Sequence, residues 1–194
     1  DGTAKVLVAT VGDIADKEFN NTVTPPTEPK FQPEKYVLNK EKFSITDNKL
    51  LDDDSELTDI YYQVWLDTTK FSVTNKENVQ SVGISDNYDA AKLTLNAADI
   101  KAYDSVSGAD VTDKFDITVN NGVITATLKD GFTKSLGDAE NTQVIDTTKF
   151  EFGRYYKFDI PATVKADVAG GVDIENKANQ IVHVYNPVSK SVET

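Results

Sequence analysis

From residue 34 onward the chain is a succession of short segments in which apolar and polar residues alternate, each bounded by turn-forming residues. Alternation of apolar and polar residues with a period of two is typical of β-strands that pack one face against a hydrophobic core. The stretch NNGV at 120–123 predicts a tight hairpin, because Asn and Gly tolerate a positive φ. The candidate strands span 4–11, 35–39, 60–71, 79–88, 92–95, 100–106, 116–120, 123–128, 155–164 and 172–185.

So many short strands at close spacing predict an all-β fold, an immunoglobulin-like β-sandwich with only short helical turns, near 89–92 and 132–136. The chain has no cysteine, so the disulfide that joins the sheets of antibody domains is absent and thiol nucleophiles are excluded. The pentapeptide DTTKF occurs at 67–71 and 146–150. With no other similarity at that spacing, it indicates coincidence or a shared strand exit rather than an internal repeat.

The proline distribution predicts how the chain is divided. Four of the six prolines fall between residues 25 and 33, which indicates an extended spacer. We therefore predict that residues 1–30 are the end of a preceding domain plus a Pro-rich linker, and that residues 31–194 form the sandwich. The first residue is not methionine and follows no processing signal, so we expect an excised piece of a larger protein.

The excess of acidic residues restricts the kinds of molecule that the chain can bind. The chain has 20 basic and 32 acidic residues, a net charge of -12. Phosphate binding requires clustered Lys and Arg, so nucleic acid and anionic membrane surfaces are disfavoured. No apolar run approaches the roughly 20 residues that span a bilayer, so no membrane insertion is expected. The sole histidine, His183, lies on the polar face of the last candidate strand, which argues against a Ser-His-Asp triad and an enzyme that turns over.

An acidic run, LDDDSELTD, places Asp52, Asp53 and Asp54 in one polar loop. Clustered carboxylates suit calcium, which takes six to eight oxygen ligands in irregular geometry. The EF-hand spacing is not met, and a solvated loop is the alternative. The sequence therefore predicts no required cofactor, with Ca²⁺ as a candidate ligand.

The last candidate strand carries Asn176 on its apolar face. Burying an amide without partners costs about 1–3 kcal/mol, so other polar groups are expected beside it. Lys35 shares a strand face with Val37, and Asp67 shares one with Trp65. We therefore predict that a lysine, an asparagine and an aspartate from three distant strands meet inside the core.

In a dry interior, desolvation favours the neutral amine and the protonated acid. The Nζ atom of Lys35 can then attack the side-chain carbonyl of Asn176 and expel ammonia, with Asp67 donating a hydrogen bond to the amide oxygen. The resulting Lys–Asn isopeptide bond forms once per molecule, so the reaction is self-crosslinking and not enzymatic turnover. Lys40 and Lys42 are alternative amines, and a solvated or merely hydrogen-bonded Lys and Asn is the alternative to a bond.

Four segments of the chain are KYVLNKEKFSITDNKLLDDDSELTD, YYQVWLDTTKF, GRYYKFDIPATV and IENKANQIVHVYNP. They resemble the C-terminal domains of the antigen I/II family of streptococcal surface adhesins and of related enterococcal aggregation substances. The resemblance covers about residues 31–194 and implies an inverse immunoglobulin arrangement in the stalk of a fibrillar, cell-wall-anchored protein. One departure is the direct succession of Asp59 and Ile60, where the family has a longer polar loop.

The resemblance also implies site residues and partners. Family domains carry a Lys–Asn isopeptide bond assisted by an Asp, and the matching positions are Lys35, Asn176 and Asp67. Calcium binding by acidic loops of related domains implies Ca²⁺ at Asp52 to Asp54. The implied location is extracellular, on the bacterial cell surface. The implied partners are adjacent domains of the chain and, through the parent adhesin, host or bacterial surface proteins or glycans.

A second hypothesis is a carbohydrate- or host-protein-binding β-sandwich without a crosslink. In that case exposed aromatic side chains would form the contact surface, and Tyr88, Tyr103 and Tyr155 are the candidates. Aromatic residues on strands more often fill a core.

Overall fold

The computed structural model describes residues 5–11, 34–38, 59–71, 76–168 and 172–194. Within these ranges the secondary structure is almost entirely β, with short 3₁₀ helices at Lys76–Asn78, Ala97–Asp99, Thr112–Lys114 and Asp130–Phe132. The strands are β1 Lys5–Val11, β2 Glu34–Leu38, β3 Asp59–Asp67, β4 Val79–Tyr88, β5 Leu93–Thr94, β6 Lys101–Asp104, β7 Phe115–Asn120, β8 Val123–Leu128, β9 Thr133–Ser135, β10 Gln143–Ile145, β11 Tyr155–Val164, β12 Val172–Asn186 and β13 Ser191–Glu193.

Two antiparallel sheets form the fold. The first sheet has the order β1-β12-β4-β8-β7, with β13 paired to β12. The second has the order β2-β3-β11-β5, with β6 paired to β11, and β9 and β10 form a separate two-stranded ribbon. No helix in the ranges given above is long and apolar enough to cross a membrane. The predicted all-β sandwich is confirmed.

The predicted turns can be compared with those in the structure. Asn121 and Gly122 have φ values of 48° and 81°, which confirms the predicted hairpin between β7 and β8. Residues 89–92 form a turn in which the amide nitrogens of Lys92 and Leu93 donate to the carbonyl oxygen of Asp89. The short helical turn predicted near 132–136 lies slightly earlier, as the 3₁₀ helix Asp130–Phe132, and β9 occupies Thr133–Ser135.

The strand β1 joins the sandwich at an edge. It pairs with β12 from Lys5 opposite Ala178 to Val11 opposite Val172. The sequence division had placed this run at the end of a preceding domain. An alternating strand carries the same pattern whichever sheet it joins, so its partner is not readable from the sequence. The boundary near residue 31 stays a prediction.

The core lies between the two sheets. From β3 it receives Ile60, Tyr62, Val64 and Leu66, all fully buried. The facing positions of the first sheet are also apolar and include Ile84, Ile124, Ile174 and Ala178. The other face of β3 is buried as well, and there Trp65 packs edge-on against Tyr155 with 5.9 Å between ring centroids. Burial on both faces fits the large apolar and aromatic residues of this strand, although Gln63 and Asp67 are buried there as well.

The two DTTKF copies leave their strands in the same way. Asp67 ends β3, and its Oδ1 accepts hydrogen bonds from the nitrogen and hydroxyl of Thr69, at 2.8 and 2.5 Å. Asp146 follows β10, and its Oδ1 accepts the same two bonds from Thr148, at 3.0 and 2.7 Å. Such Asp turns replace backbone pairing at the point where a strand ends. The shared strand exit is confirmed.

Gly83 permits a close approach of β4 to β8, because a Cβ atom at this position would lie 2.1 Å from the carbonyl oxygen of Ala126. We expect Gly83→Ala to lower the free energy of unfolding by about 2–3 kcal/mol, since the strands must move apart. Urea denaturation measures the change. Gly131→Ala is the control, with no atom within 4 Å of its Cβ, and should shift the stability by less than about 0.5 kcal/mol. Equal midpoints for the two variants would contradict the close approach.

Candidate functional site

Asn176 is buried in the core, with 2% of its surface exposed. On β12 it lies between Leu7 of β1 and Tyr88 of β4. Its neighbours on the same strand face, Ile174 and Ala178, are fully buried. The structure thus places a side-chain amide among apolar residues, at a depth where polar groups need partners.

Asp86 is an acidic residue on the same face of the same sheet. It is fully buried on β4, opposite Ala178 of β12, so it is the diagonal neighbour of Asn176. On its other side Asp86 pairs with Ile124 of β8, which is also fully buried. The sequence analysis did not single out Asp86. The signal was available, because Asp86 shares a strand face with Val82 and Ile84.

Tyr62 reaches the same region from the second sheet. It is fully buried on the core face of β3, in the same hydrophobic core as Ile174 and Ala178, the neighbours of Asn176 on its strand face. Burial raises the pKa of the Tyr62 phenol strongly. The phenol therefore keeps its proton at neutral pH. We call Tyr62, Asp86 and Asn176 the buried polar cluster.

Lys35 lies on β2, the edge strand next to β3. Its register partner is Val64, and the next pair on the core side is Val37 with Tyr62. Val64 belongs to the core. Directly opposite positions of an antiparallel pair share a face of the sheet, so position 35 lies on the core face. Its partner Val64 is two residues along β3 from Tyr62.

Asp67 lies elsewhere. Alternation along β3 puts it on the face opposite to Tyr62, where its carboxylate accepts from Thr69. Its backbone nitrogen and oxygen bond the side chain of Gln180, at 2.8 and 3.0 Å. Gln180 is four residues beyond Asn176, about 13 Å along an extended strand. The structure therefore brings Asp86 close to Asn176 and places Asp67 on the other face of β3.

Residues 33–194 match the protein family described as the cell surface antigen I/II C2 terminal domain. The chain belongs to this family. It is also similar to the aggregation substance of Enterococcus faecalis (strain ATCC 700802 / V583), with 25% identity over 83% of this chain and 14% of that protein. The antigen I/II domain thus spans 14% of the length of that curated relative. The resemblance stated from the four segments is confirmed, and it places the chain among domains of cell-surface adhesins.

Several predicted site residues of the antigen I/II domain lie outside the described residues: Lys40, Lys42 and the acidic residues Asp52, Asp53 and Asp54. Among the residues that are described, no three acidic or histidine side chains are grouped to hold a metal ion. Calcium at the acidic run stays a prediction.

The proposed aromatic contact surface is not supported at Tyr155, which is only 3% exposed and packs on Trp65. Tyr88 packs against the hydrophobic core. Tyr103 is half-buried, and the Nζ atom of Lys157 lies 5.1 Å from its ring centroid. These tyrosines of the antigen I/II domain contribute mainly to packing.

Arg154, the sole arginine, joins β6 to the loop before β11. Its Nη1 donates to Oδ2 of Asp104 at 2.8 Å, and both side chains are largely buried. Burial alone would raise the pKa of Asp104, but hydrogen bonds from Val106, Arg154 and Ser107 hold it below its usual value. This pair ties two segments of the second sheet together.

The lowered pKa gives Asp104 a pH-dependent contribution to stability. The contribution is complete above the unfolded-state pKa of about 3.9 and is lost as the pH falls through the lower folded-state pKa. We expect Asp104→Asn to reduce the free energy of unfolding by about 1–2 kcal/mol at pH 7 and by less at pH 2, measured by urea denaturation. Asp116→Asn, at an exposed position, is the control for the charge change. A loss of the same size at both pH values would contradict the assignment.

Proposed function

We propose that this domain is a structural and adhesive stalk module of a cell-wall-anchored bacterial adhesin, stabilised by a self-formed isopeptide bond between Lys35 and Asn176. The observation that carries the proposal is the burial of Asn176 diagonally beside the carboxyl group of Asp86 in an otherwise apolar core. A purely structural core gains little from this arrangement, since buried polar groups cost free energy that apolar residues of similar size do not.

Asp86 is the acid that we assign to the reaction. Desolvation favours the neutral amine and the protonated carboxyl group over the charged pair, so the amine is a nucleophile and the acid has a proton to donate. Nζ of Lys35 attacks Cγ of Asn176, and Asp86 relays the proton from the amine to the leaving amide nitrogen. The Nζ–Cγ bond forms, the Cγ–Nδ2 bond breaks, and ammonia leaves. Positioning inside a folded core supplies effective molarities on the order of 10⁵ M or more.

The location of the two reacting residues suits a stalk. β2 lies in the second sheet and β12 in the first, so the bond would join the two sheets covalently. About 140 residues separate positions 35 and 176. A pulling force that enters near β2 and leaves after β12 would pass through the bond, and the strands between them would not bear it.

The family match and the similarity to the aggregation substance support a proposal about location and partners. We propose an extracellular location on the bacterial surface, with the parent adhesin binding host or bacterial surface proteins or glycans. Adjacent domains of the same chain would be the immediate neighbours of this module. The net charge of -12 is compatible with an exposed extracellular surface.

Intact mass tests the proposal, because the purified chain should weigh less than its sequence by one ammonia. Asn121 precedes Gly122, and cyclisation of such a pair to a succinimide also releases ammonia. The Asn121→Asp variant separates the two reactions, since an isopeptide bond leaves it one ammonia below its own sequence mass. A full mass for the wild-type chain would reject the crosslink.

A further inference from the structure

We infer that Gln180 is a positioning residue for the crosslinking reaction, because its side-chain amide holds the strand of Asn176 against the strand that pairs with the strand of Lys35. The inference rests on the proposed function, since it assigns a role in the same reaction. Gln180 lies four residues beyond Asn176 on β12, outside the buried polar cluster. It therefore acts on the reaction through the placement of the strands.

The side chain of Gln180 forms two hydrogen bonds with the backbone of Asp67 across the two sheets. The backbone nitrogen of Asp67 donates to Oε1 of Gln180 at 2.8 Å, and Nε2 of Gln180 donates to the carbonyl oxygen of Asp67 at 3.0 Å. A directly paired residue of a neighbouring antiparallel strand would form the same two bonds. A side chain from the first sheet thus takes the place of a backbone partner in the second.

The backbone groups of Asp67 lie at an edge of β3 that the described part of β2 does not reach. On the other edge, the backbone nitrogen of Thr68 donates to the carbonyl oxygen of Arg154, in the segment that leads into β11. Successive residues of a strand direct their backbone groups to opposite edges, so those of Asp67 point to the side on which β2 lies. The strand β2 begins at Glu34, whose partner is two residues before Asp67. Gln180 therefore continues the pairing of β3 beyond that point.

These bonds connect the strands of the two reacting residues through β3. The register of β2 and β3 places Lys35 opposite Val64, three residues before Asp67. Gln180 fixes β12 at Asp67, and Asn176 is on the same strand four residues earlier. Sliding of β12 along β3 would change the separation between Lys35 and Asn176 and would break both bonds. A displacement of about 1 Å can slow a reaction between positioned groups by about 100-fold.

The first test compares Gln180→Ala with Asn179→Ala. Both are made in the Asn121→Asp background, so that the Asn–Gly pair releases no ammonia, and intact mass is recorded over time after cell-free synthesis. We expect Gln180→Ala to lose ammonia about 10–100-fold more slowly than its parent. Asn179→Ala removes an amide from the opposite face of β12 and should convert at the parent rate. A cooperative urea transition of the uncrosslinked chain shows that Gln180→Ala is folded.

Gln180→Glu separates positioning from packing, because it keeps the shape of the side chain. A protonated carboxyl group can accept from the nitrogen of Asp67 and donate to its carbonyl oxygen, whereas a carboxylate can only accept. The rate of ammonia loss, relative to the parent at the same pH, should be low at neutral pH. It should rise toward one as the pH falls below about 4.3, the ordinary pKa of a glutamic acid. A packing role would leave this relative rate unchanged with pH.

The possible outcomes separate this inference from the proposed function. The parent rate in folded Gln180→Ala overturns the positioning role and leaves the isopeptide bond intact. A wild-type chain that keeps its full mass overturns both. If Gln180→Ala does not fold, the pH series of Gln180→Glu decides. A relative rate that rises at low pH supports the inference, and a constant relative rate overturns it.

Discussion

Lys35→Ala and Asn176→Ala are each expected to give a chain of full mass, with a Tm about 10–20 °C below that of the crosslinked protein. The reason is the length of chain that the bond would close, about 140 residues between the two positions. Closing a loop of that size restricts the unfolded chain by about 4–5 kcal/mol on the chain-entropy estimate used for disulfides. For a domain of this size, each kcal/mol corresponds to roughly 2–4 °C in Tm.

The double variant sharpens this prediction. If both single substitutions act by removing one bond, combining them should lower the Tm little further, since interacting sites are not additive. Lys177→Ala is the matched control, because Lys177 is an exposed neighbour of Asn176 on β12. It should retain both the crosslink and the high Tm. Loss of ammonia in Lys35→Ala would contradict the choice of amine and point to Lys40 or Lys42.

Asp86→Asn is expected to fold and to remain at full mass for as long as the wild-type chain needs to convert completely. The substitution keeps the size of the side chain and removes its ability to relay a proton, which contributes about 10²–10⁴-fold in such reactions. The rate of ammonia loss, followed by intact mass after cell-free synthesis, measures the effect. The thermal transition of Asp86→Asn should resemble that of Lys35→Ala, because both lack the bond.

Asp67→Asn is the matched control for the acid. Asp67 is equally buried, but its carboxylate accepts from Thr69 on the other face of β3. We expect this variant to lose ammonia at the wild-type rate, with only the stability cost of an altered turn. The opposite pair of results, a crosslinked Asp86→Asn and an uncrosslinked Asp67→Asn, would contradict the assignment of Asp86 and restore the role predicted for Asp67 from the sequence.

Most of the fold could be predicted from alternation and turn chemistry. The strands β4, β8 and β11 have the predicted bounds. Each shows a recognisable strand pattern and is bounded on both sides by a polar residue or a glycine. The strands β9, β10 and β13 were missed. Each has three residues, which is too few for a period to appear, and β13 is exposed throughout.

The candidate site could be predicted only in part. Asn176 was recognised because apolar residues flank it at a spacing of two, and the structure buries it. The same reasoning also predicts that Asp86 is buried, because Val82 and Ile84 share its strand face. Asp67 was predicted because it shares a strand face with Trp65, but the opposite face of β3 is apolar throughout and is the one in the core between the sheets. Pairing across sheets depends on topology, which one sequence does not contain.

The most direct measurement is a protease digest of the purified chain, analysed by tandem mass spectrometry. The account predicts one branched species in which the peptide containing Lys35 is joined to the peptide containing Asn176, with a mass equal to their sum less one ammonia. Recovery of both peptides unlinked and at full mass would contradict it.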